Sequence, residues 1–157
     1  MSLHDTKPFV DLLTKIQEDA ASQRYGQIEA HTQAIMELEK NEESQSSSSS
    51  SNPTEDSFDS IKEIAKLWLA LGELQFGSET MDEQALSSFE KSISNDATRG
   101  RSHFFKGLVL SVLGRLEDAL AAFEQATVWN LKRLPFGMRK EDVSLQWHQL
   151  VHRLYYL

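Results

Sequence analysis

The stretch of sequence that decides the fold is residues 113–126, which read LGRLEDALAAFEQA. After Gly114, two alanines and a phenylalanine follow at four- and three-residue intervals, at Ala119, Phe123 and Ala126. This spacing places the three side chains on one face of an α-helix. A glycine just before such a run is typical of the turn between two helices. The stretch therefore predicts a turn and then a helix that buries a narrow face of small residues around one aromatic ring.

The same pattern occurs once earlier in the chain. Ala85, Phe89 and Ser92 precede Ala119, Phe123 and Ala126 by 34 residues each, and Gly72 precedes Gly107 by 35. A fixed period of this length is typical of helical repeat proteins. The small residues would let the two helices of a pair cross closely, and the two phenylalanines would fill the space toward the neighbouring repeat.

In these residues the chain resembles the tetratricopeptide repeat (TPR) family. One unit carries Trp68, Leu71, Gly72, Ala85 and Phe89, and the next carries Gly107, Gly114, Ala119, Phe123 and Ala126. The chain departs from the family pattern at Ala97 and Leu131, where a proline is usual, and at His103 and Lys106, where large residues are usual. The resemblance covers residues 62–131 and, more loosely, 7–157. It implies an all-α fold of antiparallel helical hairpins, stacked as a short right-handed superhelix with a C-terminal capping helix.

The rest of the chain is interpreted around these two units, with residues 1–157 as a single domain and no strand. Residues 7–40 are predicted to form an N-terminal helical hairpin, which we interpret as a degenerate repeat, and residues 41–60 a disordered, acidic, Ser-rich insertion. The repeats span 61–97 and 99–132, and residues 141–157 form the capping helix. Capping boxes at Ser60-x-x-Glu63 and Thr80-x-x-Glu83 predict two helix starts. A helical bundle without repeats is the alternative.

The charge and composition exclude several classes of protein. The formal net charge is −8, which argues against nucleic-acid binding. Residues 1–98 hold 7 basic and 19 acidic residues, whereas residues 99–157 hold 9 and 5. This asymmetry either steers an acidic partner toward the C-terminal half, or draws the two ends of the chain together, or only reflects solvated charged faces. Without cysteine, disulfides and thiolate sites are excluded. No secretory signal or membrane-spanning run is visible, so we expect no membrane contact and a cytoplasmic location, with the nucleus left open.

No group of residues predicts catalysis. His148 and His152 share a helix face at a spacing that can bind a metal, but no glutamate or cysteine accompanies them in a ligand pattern. The glycines are isolated, and acidic pairs such as Glu117-Asp118 sit where helix starts are expected. We therefore predict no catalytic residue, no metal site and no cofactor, and a protein that is not an enzyme.

The resemblance implies instead a protein-binding groove lined by the first helix of each repeat. Its predicted residues are Leu69, Glu73, Phe76, Arg101, Phe104, Leu108 and Val112. The function expected from this groove is that of a non-catalytic adaptor or scaffold that binds a peptide or helix of a protein partner. Glu73 would repel a carboxylate, so binding of chaperone C-terminal tails is not expected. In the alternative, the chain is a structural subunit of a larger assembly, or a homo-oligomer, and docks through its aromatic C-terminal helix.

Overall fold

A computed structural model describes residues 6–46 and 55–131, and every regular element in these two ranges is helical. The six α-helices are α1 (Lys7–Ala21), α2 (Ile28–Ser46), α3 (Glu55–Gly77), α4 (Asp82–Asn95), α5 (Gly100–Val112) and α6 (Leu116–Leu131), and a short 3-10 turn covers Tyr25–Gln27. The all-α prediction is confirmed. The predicted helix over 141–157 lies outside the described residues. The chain divides into two compact units, with the boundary between Ala97 and Thr98.

The N-terminal unit is organised around α3. Helices α1, α2 and α4 all pack against α3, whereas α1 and α2 contact each other only sparsely. The core residues Ile16, Ile35, Leu67 and Leu71 have no accessible surface, and Trp68 lies beside them at 1% exposure. Full burial of such a side chain contributes roughly 1.5–3 kcal/mol. The predicted N-terminal hairpin is thus held less by its own helix pair than by the helix that follows it.

A buried polar pair joins the end of α1 to the start of α2. The ring Nε2 of His31 lies 2.7 Å from Oδ2 of Asp19, and both residues are buried. Arg24 adds an ion pair, with its Nε 3.2 Å from Oδ1 of Asp19. Because buried polar groups need partners, the pair fixes how the two helices meet.

Both predicted capping boxes are wrong. Helix α3 begins at Glu55, so Ser60 lies inside it and is buried, and α4 begins at Asp82 with Met81, not Thr80, at the N-cap. At the end of α2 and the start of α3, polar residues extend the helix past its last buried apolar residue. Such an extension costs little free energy once a helix has been nucleated. The predicted insertion at 41–60 is therefore too wide: residues 41–46 belong to α2 and 55–60 to α3. Residues 47–54 lie outside the described part.

In the C-terminal unit, α5 and α6 pack against one another as a hairpin. The turn between them has Gly114 at φ +80°, with its N–H donating to the Ser111 carbonyl (3.1 Å). The N–H of Arg115 donates to the Leu110 carbonyl (2.9 Å). This is the Schellman arrangement of a helix C-terminus, which favours glycine at the left-handed position. The turn predicted at Gly114 is confirmed.

No helix in the described ranges is long and apolar enough to cross a membrane.

Candidate functional site

The same unusual close contact occurs inside each of two helix pairs, once between α3 and α4 and once between α5 and α6. A Cβ atom built on Gly72 would lie 2.5 Å from Cε1 of Phe89, and one built on Gly107 would lie 2.7 Å from Cε1 of Phe123. In both pairs Cδ1 and Cζ of the same ring lie within 2.9 Å of the built atom. Each phenylalanine therefore lies flat against a glycine that leaves room for it, and both rings are buried.

The other small residues of the pattern are buried in the same way. Ala85, Ala119, Ser92 and Ala126 all have no accessible surface. Ser92 compensates its buried hydroxyl by donating to the Ala65 carbonyl at 2.7 Å. The expectation that small residues mark close helix crossing is met within each pair. The sequence placed the phenylalanines toward a neighbouring repeat, whereas each ring packs on the glycine of its own pair.

On α3, the predicted binding residues differ in accessibility. Leu69, Glu73 and Phe76 follow one another at intervals of four and three residues, so they lie along one side of the helix. Leu69 is only 7% exposed, whereas Glu73 and Phe76 are half-buried. Of the three, Leu69 thus offers the least surface to a partner.

On α5, the four predicted residues Arg101, Phe104, Leu108 and Val112 are spaced by three, four and four positions and form one face. Val112 is 61% exposed and Arg101 is exposed, while Phe104 and Leu108 are half-buried. The Phe104 ring centroid lies 5.8 Å from that of Phe123, so Phe104 also packs within its own helix pair.

Phe105 also belongs to this surface, although it was not among the predicted residues. Its ring meets Phe104 edge-on at 5.6 Å between centroids and an interplanar angle of 68°. The guanidinium carbon of Arg101 lies 5.3 Å from the centre of the Phe105 ring. An arginine and an aromatic residue four positions apart are neighbours on a helix, and this spacing could have pointed to Phe105.

The predicted set is divided between the two compact units. Leu69, Glu73 and Phe76 belong to the N-terminal unit, and the other four belong to the C-terminal unit. Apolar side chains with a cation at one end suit the binding of apolar groups of a peptide. Among the described residues, no three His, Cys, Asp or Glu side chains are placed to hold a metal ion. His148 and His152 lie outside the described part.

A separate apolar surface is present on α6. Leu116 and Leu120 lie four positions apart on one face and are 50% and 56% exposed. Val128 is 44% exposed and is separated from them by Glu124. Large apolar side chains grouped on one helix face often mark a surface that another molecule or segment covers.

No family model, no curated protein and no solved structure matches this chain.

Proposed function

We propose that this chain is a non-catalytic adaptor of TPR-like architecture that binds a peptide or helix of a partner protein. The observation that carries the proposal is the repeated packing of Phe89 on Gly72 and of Phe123 on Gly107. The glycines are 35 residues apart and the phenylalanines 34, as expected for two copies of one helical repeat. Repeats of this kind stack into extended surfaces used to bind other proteins.

The proposed binding residues are the accessible members of the predicted set, and they form one patch in each compact unit. On α5, Arg101 and Val112 mark the two ends of a face whose middle is Phe104 and Leu108. On α3, Glu73 and Phe76 form the accessible patch of the N-terminal unit. An amphipathic helix or an extended segment with apolar anchors fits such a face, because the anchors would cover the aromatic and aliphatic groups.

The experiment compares the proteins recovered from source cells with tagged full-length wild type and two variants. The first variant, Arg101→Glu with Val112→Glu, places charge at the accessible ends of the α5 face and leaves Phe104 in its packing contact. The control, Leu120→Glu, adds one negative charge on the exposed face of α6, against a net change of three in the α5 variant. Circular dichroism confirms that all three proteins remain equally helical.

The adaptor proposal expects one partner to be recovered with the wild type and the α6 control and lost with the α5 variant. Recovery of that partner with the α5 variant at wild-type yield would contradict the proposed surface. A third variant, Phe76→Glu, tests the α3 contribution in the same assay.

A second candidate function is that of a structural subunit or homo-oligomer. The observation in its favour is the exposed apolar pair of Leu116 and Leu120 on α6. In this case Leu120→Glu, and not the α5 variant, should abolish association, either with a partner or between copies of the chain. Sedimentation velocity of the wild type and of Leu120→Glu separates self-association from partner binding.

A further inference from the structure

The N-terminal unit contains a groove that the predicted binding residues do not touch. It has a volume of about 440 Å³ and is formed by the C-terminal parts of α2 and α4 and the first half of α3. Its lining residues are Glu39, Glu42, Glu43, Ile61, Ile64, Lys91, Ser94 and Asn95.

The groove carries an excess of negative charge. Three carboxylates of α2 face one lining ammonium group, that of Lys91. The ends of two helices add to this, because Ser94 and Asn95 are the last residues of α4 and Glu43 stands in the last turn of α2. A helix C-terminus bears a partial negative charge, and neither α2 nor α4 has a basic residue in its last turn. The helix dipoles and the side chains therefore have the same sign.

The lining ammonium is already engaged within the unit. Nζ of Lys91 lies 4.3 Å from the centre of the Trp68 ring, and Nε1 of Trp68 donates to Oε1 of Glu39 at 2.5 Å. Trp68 itself is buried, so this arrangement anchors one side of the groove to the core. Lys91 thus makes a cation–π contact with the Trp68 ring. Two further glutamates, Glu42 and Glu43, line the α2 side of the groove.

The floor of the groove is apolar. Ile64 is buried and belongs to the core, while Ile61 is 38% exposed, a large aliphatic side chain that water reaches. Burial of such a side chain by a ligand is favourable in proportion to the apolar area covered. A ligand that matches the groove thus combines positive charge with an aliphatic group.

We propose that this groove is a docking site for a basic peptide segment of a partner protein, in which Lys or Arg residues flank an aliphatic side chain. The aliphatic group covers Ile61, and the cations lie along the α2 wall near Glu42 and Glu43. Glutamates near the C-terminus of α2 are repelled by the partial negative charge of the helix end, which lowers the stability of the helix. A cationic ligand would reduce this repulsion. The inference does not depend on the binding residues proposed on α3 or on α5.

The test is fluorescence anisotropy of a labelled nonapeptide made of lysine, arginine and leucine, titrated with the full-length protein. We expect saturable binding that weakens as salt rises, because the attraction is between charges at an accessible surface. Glu42→Gln with Glu43→Gln should weaken binding roughly tenfold, since two charge contacts of modest strength are lost. Ile61→Ser should weaken it roughly fivefold through the loss of apolar contact.

The controls separate this groove from general acidity and from the adaptor surface. Glu18→Gln with Glu29→Gln removes the same charge from exposed positions elsewhere in the unit and should change affinity by less than roughly twofold. Arg101→Glu with Val112→Glu should bind the peptide at least as well as wild type.

Two outcomes would overturn the docking site. The first is that the two pairs of glutamine variants weaken binding equally, which would assign the attraction to net charge. The second is that a peptide with serine in place of leucine binds as tightly as the leucine peptide, or that Ile61→Ser has no effect. Helicity measured on every variant excludes loss of folding as the cause.

Discussion

At the scale of single residues, the packing of a neighbouring ring explains why glycine occupies two helix positions. The space that a side chain at Gly72 or Gly107 would occupy is filled by the ring of Phe89 or Phe123. A Cβ atom built on Gly77, on the same helix as Gly72, would lie 3.5 Å from the hydroxyl of Tyr25, which is an ordinary contact. The sequence spacing predicted close helix crossings at both glycines, but it placed the two rings toward a neighbouring repeat and so did not predict these contacts.

We predict that Gly72→Ala and Gly107→Ala each lower the free energy of unfolding by about 1–2 kcal/mol. Overpacking against the buried ring outweighs the better helix propensity of alanine. Urea denaturation followed by circular dichroism measures the change, with Gly77→Ala as the matched control, expected to be neutral or slightly stabilising. Equal effects of Gly72→Ala and Gly77→Ala would refute the close-contact interpretation.

The turns give a second prediction. Glu79 has φ +60° after α3, a conformation that Gly114 adopts at φ +80° after α5. Left-handed backbone costs a residue with a Cβ about 1 kcal/mol. Glu79→Gly should therefore raise the free energy of unfolding by about that amount, and Gly114→Ala should lower it similarly. The same urea experiment checks both signs, and a destabilising Glu79→Gly would contradict the assignment.

At the scale of helices, the sequence predicted element type better than element limits. The sequence pattern predicted all six described helices and identified the turn at Gly114, because burial leaves a regular pattern. It did not locate the end of α2 or the start of α3, where polar helix-forming residues extend past the buried face. The start assigned to Ser60 was wrong for that reason.

The candidate binding surfaces were only partly visible in the sequence. Helical spacing correctly places Arg101, Phe104, Leu108 and Val112 on one face of α5, because that follows from the 3.6-residue period alone. The burial of Leu69 could not be read from spacing, since it depends on neighbours distant in sequence. The groove beside Ile61 was likewise invisible, because it requires α2, α3 and α4 to be in place.

The link between α1 and α2 supports a prediction about the buried pair of Asp19 and His31. Asp19→Ala leaves the His31 ring without its carboxylate partner and should cost about 1–3 kcal/mol in the free energy of unfolding. Arg24→Ala should cost no more than about 0.5 kcal/mol, since the Arg24 side chain is 61% exposed.

A double variant, Asp19→Ala with His31→Leu, should recover part of that loss, because replacing both partners by apolar groups removes the unsatisfied ring nitrogen. Denaturation of the four proteins in one urea series gives the comparison. If Asp19→Ala were no more costly than Arg24→Ala, the pair would have no structural role.

At the scale of the whole molecule, the N-terminal unit carries a core of its own. The buried residues of that core all lie before the boundary at Ala97, on α1, α2 and α3. A fragment of residues 1–97 should therefore unfold cooperatively in urea, with helicity similar to that of the same residues in the full chain. A gradual, non-cooperative loss of helicity would contradict the division at Ala97.

The adaptor proposal depends on the two helix pairs using the same packing contact, and nuclear magnetic resonance of the full-length protein measures this most directly. We predict nuclear Overhauser contacts from the α-protons of Gly72 to the ring of Phe89 and from those of Gly107 to the ring of Phe123. Both pairs of glycine α-protons should also be shifted by the ring beside them. If either glycine lacked these contacts, the two helix pairs would not be copies of one unit, and the repeat interpretation would fail.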